Sequence, residues 1–174
     1  ENDALEMRRE GLGERHPDVA KSMNTIGMWA VEDGDHETAE SMLRKAVSIN
    51  VDVHGGDHPD VADSLTLLAS CLVAQQEFDE ALQHARSARA MYTAALPDKH
   101  WRTAIASSAE GAALTGLGRY PEAEERLVAG FNVLRNDPGA IPMFVDEATE
   151  RLVALYEAWG KPERVAEVLA LAND

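Results

Sequence analysis

The stretch from His58 to Leu96, HPDVADSLTLLASCLVAQQEFDEALQHARSARAMYTAAL, decides the fold. Val61, Leu65, Leu68 and Leu72 recur at steps of three and four, which draws one apolar stripe along a helix. Phe78, Ala81, Leu82, Ala85, Ala88 and Met91 draw a second stripe after a polar break. The same sentence is written again on both sides of it. His16, His58 and His100 stand 42 residues apart; so do Gly34, Gln76, Gly118 and Gly160, and so do Ala39, Ala81, Ala123 and Val165. A fixed period of this size marks stacked supersecondary units, each of which buries its apolar face only against its neighbours.

The unit before it has Val19, Met23, Ile26 and Ala30 as its first stripe, and Ala39, Met42, Leu43, Ala46, Val47 and Ile49 as its second. Glu32-Asp33-Gly34-Asp35 separates the two, and His54-Gly55-Gly56 ends the pair. Pro17 suits a first helical position and Asp18 the positive end of the helix dipole. The third unit opens at His100-Trp101 and carries Ala104, Leu114, Gly118, Tyr120, Ala123, Leu127 and Phe131; the fourth opens near Pro142 and carries Leu152, Leu155, Tyr156, Gly160, Val165, Val168 and Leu169. Residues 3–12 match the end of a second helix. The expected organisation is an all-α array of about nine helices. It divides into a tail over 1–15 and four units over 16–57, 58–99, 100–141 and 142–174, the last being C-terminal. Ala39, Ala81 and Ala123 are expected where the two helices of a unit meet, because Ala permits close approach.

Composition narrows the partners. The net charge is −15, from 31 acidic and 16 basic residues. Nucleic acid and anionic membranes select Lys/Arg-rich surfaces, so neither is expected as a partner. No stretch reaches the ~18–20 apolar residues of a membrane span, and no signal peptide opens the chain. The start, without Met, reads as an excised piece of a longer protein, and a cytoplasmic setting is expected. The single Cys71 excludes an internal disulfide and sits in an apolar run, where a buried, inert thiol is expected.

No residue pattern points to catalysis. Equivalent histidines in successive units lie a helix spacing apart, too far to share a metal, so His16, His58 and His100 read as helix-start residues. His54, Asp57, His58 and Asp60 crowd one loop that could hold a divalent ion, but turn and cap roles account for its members, and no metal or cofactor is assigned. Gly55-Gly56 and Gly116-x-Gly118 read as turns. Trp29, Trp101 and Trp159 fall in helical runs and read as packing groups.

The strings Met23-x-x-Ile26-Gly27-x-x-Ala30-x-x-x-Gly34-x-His36-x-x-Ala39 and Leu65-x-x-Leu68-Ala69-x-x-Leu72-x-x-x-Gln76-x-Phe78-x-x-Ala81 resemble the tetratricopeptide repeat. Gly111-x-x-Leu114-x-x-x-Gly118-x-Tyr120-x-x-Ala123 and Leu152-Val153-x-x-Tyr156-x-x-x-Gly160-x-Pro162-x-x-Val165 continue the pattern. A 42-residue unit opening His-Pro-Asp-Val-Ala is similar to the kinesin-light-chain type. The string from Arg151 to Arg164 resembles the repeat region of bacterial eukaryotic-like serine/threonine kinases, although no kinase motif lies in the chain.

The resemblance implies a right-handed α-α superhelix whose first helices line a concave groove. By register, the groove residues are Lys21, Asn24, Met28, Val31 and Glu32; then Asp63, Thr66, Ser70, Val73 and Ala74. Ile105, Ser108, Ala112, Thr115 and Gly116 follow, and then Glu147, Glu150, Ala154, Glu157 and Ala158. The peptide-gripping Asn of relatives survives only as Asn24, with Thr66, Ser108 and Glu150 in the matching places. Lys21 is the one basic residue expected there, against five acids. The implied function is a non-catalytic scaffold for a protein or peptide segment, one with basic residues by charge, within a larger bacterial signalling protein. A regulatory ligand sensor controlling an attached enzyme such as a kinase is the first alternative. Self-assembly is the second, since Leu5, Leu12 and the apolar last helix are expected to leave the array's ends uncovered.

Overall fold

The computed structural model describes residues 2–172; residues 1, 173 and 174, the last two belonging to the fourth expected unit, lie outside the described residues. Among the described residues nine helices follow one another: α1 (Asn2–Leu12), α2 (Pro17–Glu32), α3 (His36–His54), α4 (Pro59–Ala74), α5 (Phe78–Ala95), α6 (Trp101–Gly116), α7 (Tyr120–Asn136), α8 (Pro142–Ala158) and α9 (Pro162–Ala172). No strand occurs among the described residues, and no helix is long and apolar enough to cross a membrane. Successive helices pack as antiparallel pairs, and α2, α4, α6 and α8 also touch in series. The result is an open α-α solenoid.

Local chemistry sets the boundaries. Nδ1 of His16, His58 and His100 accepts the backbone N–H of Asp18, Asp60 and Arg102, each at 3.1 Å. The recurring histidines are therefore N-caps, satisfying a donor that the first helical turn leaves unpaired. α8 departs from this rule: its cap position is Ile141, which supplies no side-chain bond, and the helix starts one residue early in the period.

Inside each pair, the turn is a Schellman motif. Asp35, Glu77, Arg119 and Lys161 donate to the carbonyls of Ala30, Leu72, Leu114 and Tyr156 at 2.8–2.9 Å. The residue before each donor is left-handed: Gly34, Gly118 and Gly160 at φ 70–77°, and Gln76 at φ 65°. Three units use the residue that adopts this conformation freely, and the second strains a Gln into it.

The core is built from small side chains. Ala39, Ala81 and Ala123 are fully buried at the helix–helix contacts. A Cβ on Gly27 would stand 2.6 Å from Leu43 Cγ, and one on Gly111 2.5 Å from Leu127 Cγ, so each leucine occupies the space a side chain would need. Cys71 is buried, as expected.

Two expectations about exposure fail. Leu5 is only 3% exposed, because α1 lays it into a cluster with Val19, Met23 and Ile49. Trp29 is 45% exposed and is not a core packing group, whereas Trp101 stacks on Phe144 and Trp159 on Tyr120. Met7, Leu12, Leu169 and Leu171 are largely exposed at the two ends.

Candidate functional site

The first helices of the pairs line one concave surface because residues three and four apart share a helix face. Two adjoining hollows occupy it and share Met28 from α2, Thr66 and Leu67 from α4, Ile105 from α6 and Phe144 from α8. One hollow extends past Lys21, Asn24, Asp63, Tyr92, Trp101 and Arg102. The other extends past Val31, Glu32, Ser70, Met143, Glu147 and Glu150. The floor is apolar and the rim is charged.

Of the residues placed in the groove by register, Lys21, Asn24, Met28, Val31, Glu32, Asp63, Thr66, Ser70, Ile105, Glu147 and Glu150 line one or both hollows. Ser108 is buried beneath the surface and meets the groove only through an arginine. Ala112 is buried and Glu157 is exposed, and neither lines a hollow.

The expectation of Lys21 as the one basic groove residue is corrected. Arg151, whose side chain is 12% exposed, bonds Glu147 Oε1, Ser70 Oγ at 2.8 Å and Ser108 Oγ at 3.2 Å. It ties α8 to α4 and α6. An arginine four residues after Glu147 shares its face, so the helix step points to it. Arg102 also enters the groove, with Nη1 3.7 Å from Asp63 Oδ2. Ile141, Met143 and Phe144 join from the start of α8; Met143 and Phe144 stand one period after Trp101 and Arg102, which line the groove from the start of α6.

The polar groups of the groove are mostly spent inside the protein. Asn24 Nδ2 donates to Ser64 Oγ at 2.9 Å. Thr66 Oγ1 bonds its own helix at the Ala62 carbonyl at 2.7 Å. Ser70 and Ser108 both accept from Arg151. Each side chain expected to grip a peptide backbone therefore already has a partner, while Asn24 Oδ1 is buried without one.

The acids divide in the same way. Asp63 accepts the hydroxyl of Tyr92 and faces Arg102; burial nonetheless raises its pKa above the ordinary carboxylate value, the tyrosine and arginine opposing that rise. Burial and the Asp63 charge hold the Tyr92 phenol protonated. Glu147 is paired with Arg151. Glu32 and Glu150, on opposite walls of one hollow, have no ion-pair partner among the described residues. Among the described residues no His or Cys lines either hollow, so the groove offers carboxylates, hydroxyls and methionine thioethers but no imidazole or thiolate. The histidine-bearing set is elsewhere, at the α3–α4 turn.

The comparisons with known proteins agree with this architecture. The fold is similar to a crystal structure of BtubC (BKLC) from P. vanneervenii, with a TM-score of 0.74 at 17% identity over 99% of this chain and 68% of that one. It is also similar to a Podosopora anserina structure described as kinesin light chain nearly identical TPR-like repeats, with a TM-score of 0.71 at 19% identity, over 99% of this chain and 81% of that one. Among curated proteins, the clustered mitochondria protein homolog of Homo sapiens is 30% identical over 92 residues; the match takes in 53% of this chain and 7% of that protein. The family model for the tetratricopeptide repeat matches residues 2–50 and 34–94. The period, the paired helices and this match together show that the chain belongs to the tetratricopeptide repeat family, whose arrays typically serve protein–protein interaction.

Proposed function

We propose that this chain is a non-catalytic recognition module whose groove takes an apolar side chain, flanked by Lys or Arg, from a protein or peptide partner. The observation that carries the reading is the pair of unpartnered carboxylates, Glu32 and Glu150, on either side of a hollow floored by Met28, Leu67, Ile105 and Phe144. An apolar pocket contributes through burial, and flanking like charges focus a field that selects the opposite sign. Because Asn24, Thr66, Ser70 and Ser108 already have partners, side-chain recognition is favoured over a clamp on the peptide backbone. Groove binding is read as independent of any catalytic step. The cytoplasm suits a chain whose one cysteine is a buried free thiol.

The test is titration with short peptides carrying a Leu or Phe beside Lys/Arg or beside Glu, at low and physiological salt. The basic set should bind more tightly, and its advantage should shrink as salt screens the charges. Glu150→Lys and Glu32→Lys should each weaken binding several-fold, while Glu10→Lys on the exposed face of α1 should not. Equal losses from all three would mean nonspecific attraction to an acidic protein and would overturn the groove assignment.

A further inference from the structure

We infer that His54, His58 and Asp60 form a binding site for a divalent transition-metal ion of the zinc class at the α3–α4 turn. The cap role accounts for His58 and for the place of Asp60, since the same bond recurs at His16 and His100. It does not account for His54. One period earlier and one period later, the equivalent residue is Leu12 and Leu96, so a histidine replaces an apolar helix-end residue in this unit alone.

Its surroundings are also particular. His54 Nε2 is sealed from solvent and makes no hydrogen bond, yet it lies 3.2 Å from Asp60 Oδ2. That contact sets two metal-ligating atoms side by side, so an ion seated between them would bond both. His58 Nδ1 is 3.8 Å from the same carboxylate oxygen, and one ligand atom from each of the three residues falls within 4.8 Å of the others. Two ligands on a tetrahedral ion with bonds of about 2.0–2.2 Å sit roughly 3.3 Å apart. His54 and Asp60 are already at that spacing, and His58 has to close.

That closure is the costly part. The two imidazoles are stacked, with centroids 4.1 Å apart and planes 8° from parallel. Parallel rings cannot both aim a lone pair at one ion, so His58 must tilt out of the stack. If Nδ1 is its ligating atom, it also exchanges the Asp60 amide for the metal. The site is assembled by the ion, and water completes the coordination. Two imidazoles and one carboxylate suit Zn2+, Co2+, Ni2+ or Cu2+, and not the all-oxygen preference of Ca2+ or Mg2+.

The experiment uses the tag-free chain. Zn2+ is titrated calorimetrically, and Co2+ is followed by the visible absorption of a low-symmetry, four-coordinate ion. The expected result is one ion per chain and a melting temperature that climbs with zinc concentration. His54→Leu installs the residue of the neighbouring units, so it should fold normally and bind zinc at least ten-fold more weakly. Asp60→Asn, which keeps the backbone contacts of the helix start, should weaken binding too. Ca2+ should leave the melting curve unchanged. Absence of zinc uptake by the native chain, or uptake undiminished in both variants, would overturn the assignment.

Discussion

One register position, followed through the array, separates its middle from its end. Across the two helices of a pair, it holds Gly27 and Leu43, then Ala69 and Ala85, then Gly111 and Leu127, then Val153 and Leu169. The first three pairs fill the contact in two different ways, one large side chain against none or two methyl groups, and Leu43, Ala85 and Leu127 are all fully buried. The fourth places two large side chains where the others place one or none, and Leu169 is 47% exposed. The apolar period runs unbroken to the last helix; the interlocking of volumes does not. Periodicity is enough to make helices, and complementary sizes are what bring two helices into close contact.

The largest expected effect tests this contrast at one register. Leu127→Ala should cost about 2–5 kcal/mol, because Gly111 opposite offers nothing to refill the void. Leu169→Ala should cost under about 1 kcal/mol, as for a largely exposed side chain. Chemical denaturation of both variants measures the gap, and equal losses would show that the last pair interlocks like the others.

Next comes the exchange of volumes. Gly111→Ala alone should cost about 1–3 kcal/mol by overpacking Leu127. Gly111→Ala combined with Leu127→Ala rebuilds the Ala69–Ala85 arrangement and should be more stable than Leu127→Ala alone. A double-mutant cycle with no coupling would break the volume argument.

A smaller effect is expected at the Schellman turns. Gln76→Gly, which gives the second unit the glycine of the other three, should stabilise by up to about 1 kcal/mol, since relief of the left-handed strain exceeds the added chain entropy. A lowered denaturation midpoint would contradict it.

The smallest effect lies in the groove, where Asp63 and Glu147 share a register position in the middle and last pairs. The folded-state pKa of Asp63 is raised, chiefly by burial. The folded chain therefore holds that proton more tightly than the unfolded chain, and ionising Asp63 costs stability as pH climbs from the unfolded to the folded pKa. Asp63→Asn should stabilise relative to the native chain at neutral pH, with the difference fading as pH falls below the ordinary carboxylate range. Denaturation midpoints across that range check the sign.

Much of this molecule was legible in the sequence because stacked repeats turn register into position. Ala39, Ala81 and Ala123 are buried at helix contacts, and eleven of the named groove residues line its hollows. Three kinds of information were not in the pattern. Arg151 was missed because a charged residue in a helix reads as solvent-facing unless a partner is known, and its serines lie in other units. Phe144 and its neighbours lay outside the groove register because that register begins one turn into each first helix, while they sit at the opening of α8. Leu5 looked uncovered because the terminal half-pair was judged without α2 and α3 beneath it. The engagement of the hydroxyls is tertiary: a sequence names a donor without saying who has already claimed it.

Arg151 has one more consequence. In an ideal stack of repeats, each unit senses only the next, so a terminal unit can detach alone. The bond from Arg151 to Ser70 spans 81 residues and passes over a whole intervening pair. Opening the last pair therefore removes a strut from α4 as well as from α6. The loop it closes is long, so the strut sets only after the intermediate helices have formed. Once set, it stiffens the curvature of the array, so the width of the groove is fixed by a tie across the coil as well as by the sum of its joints.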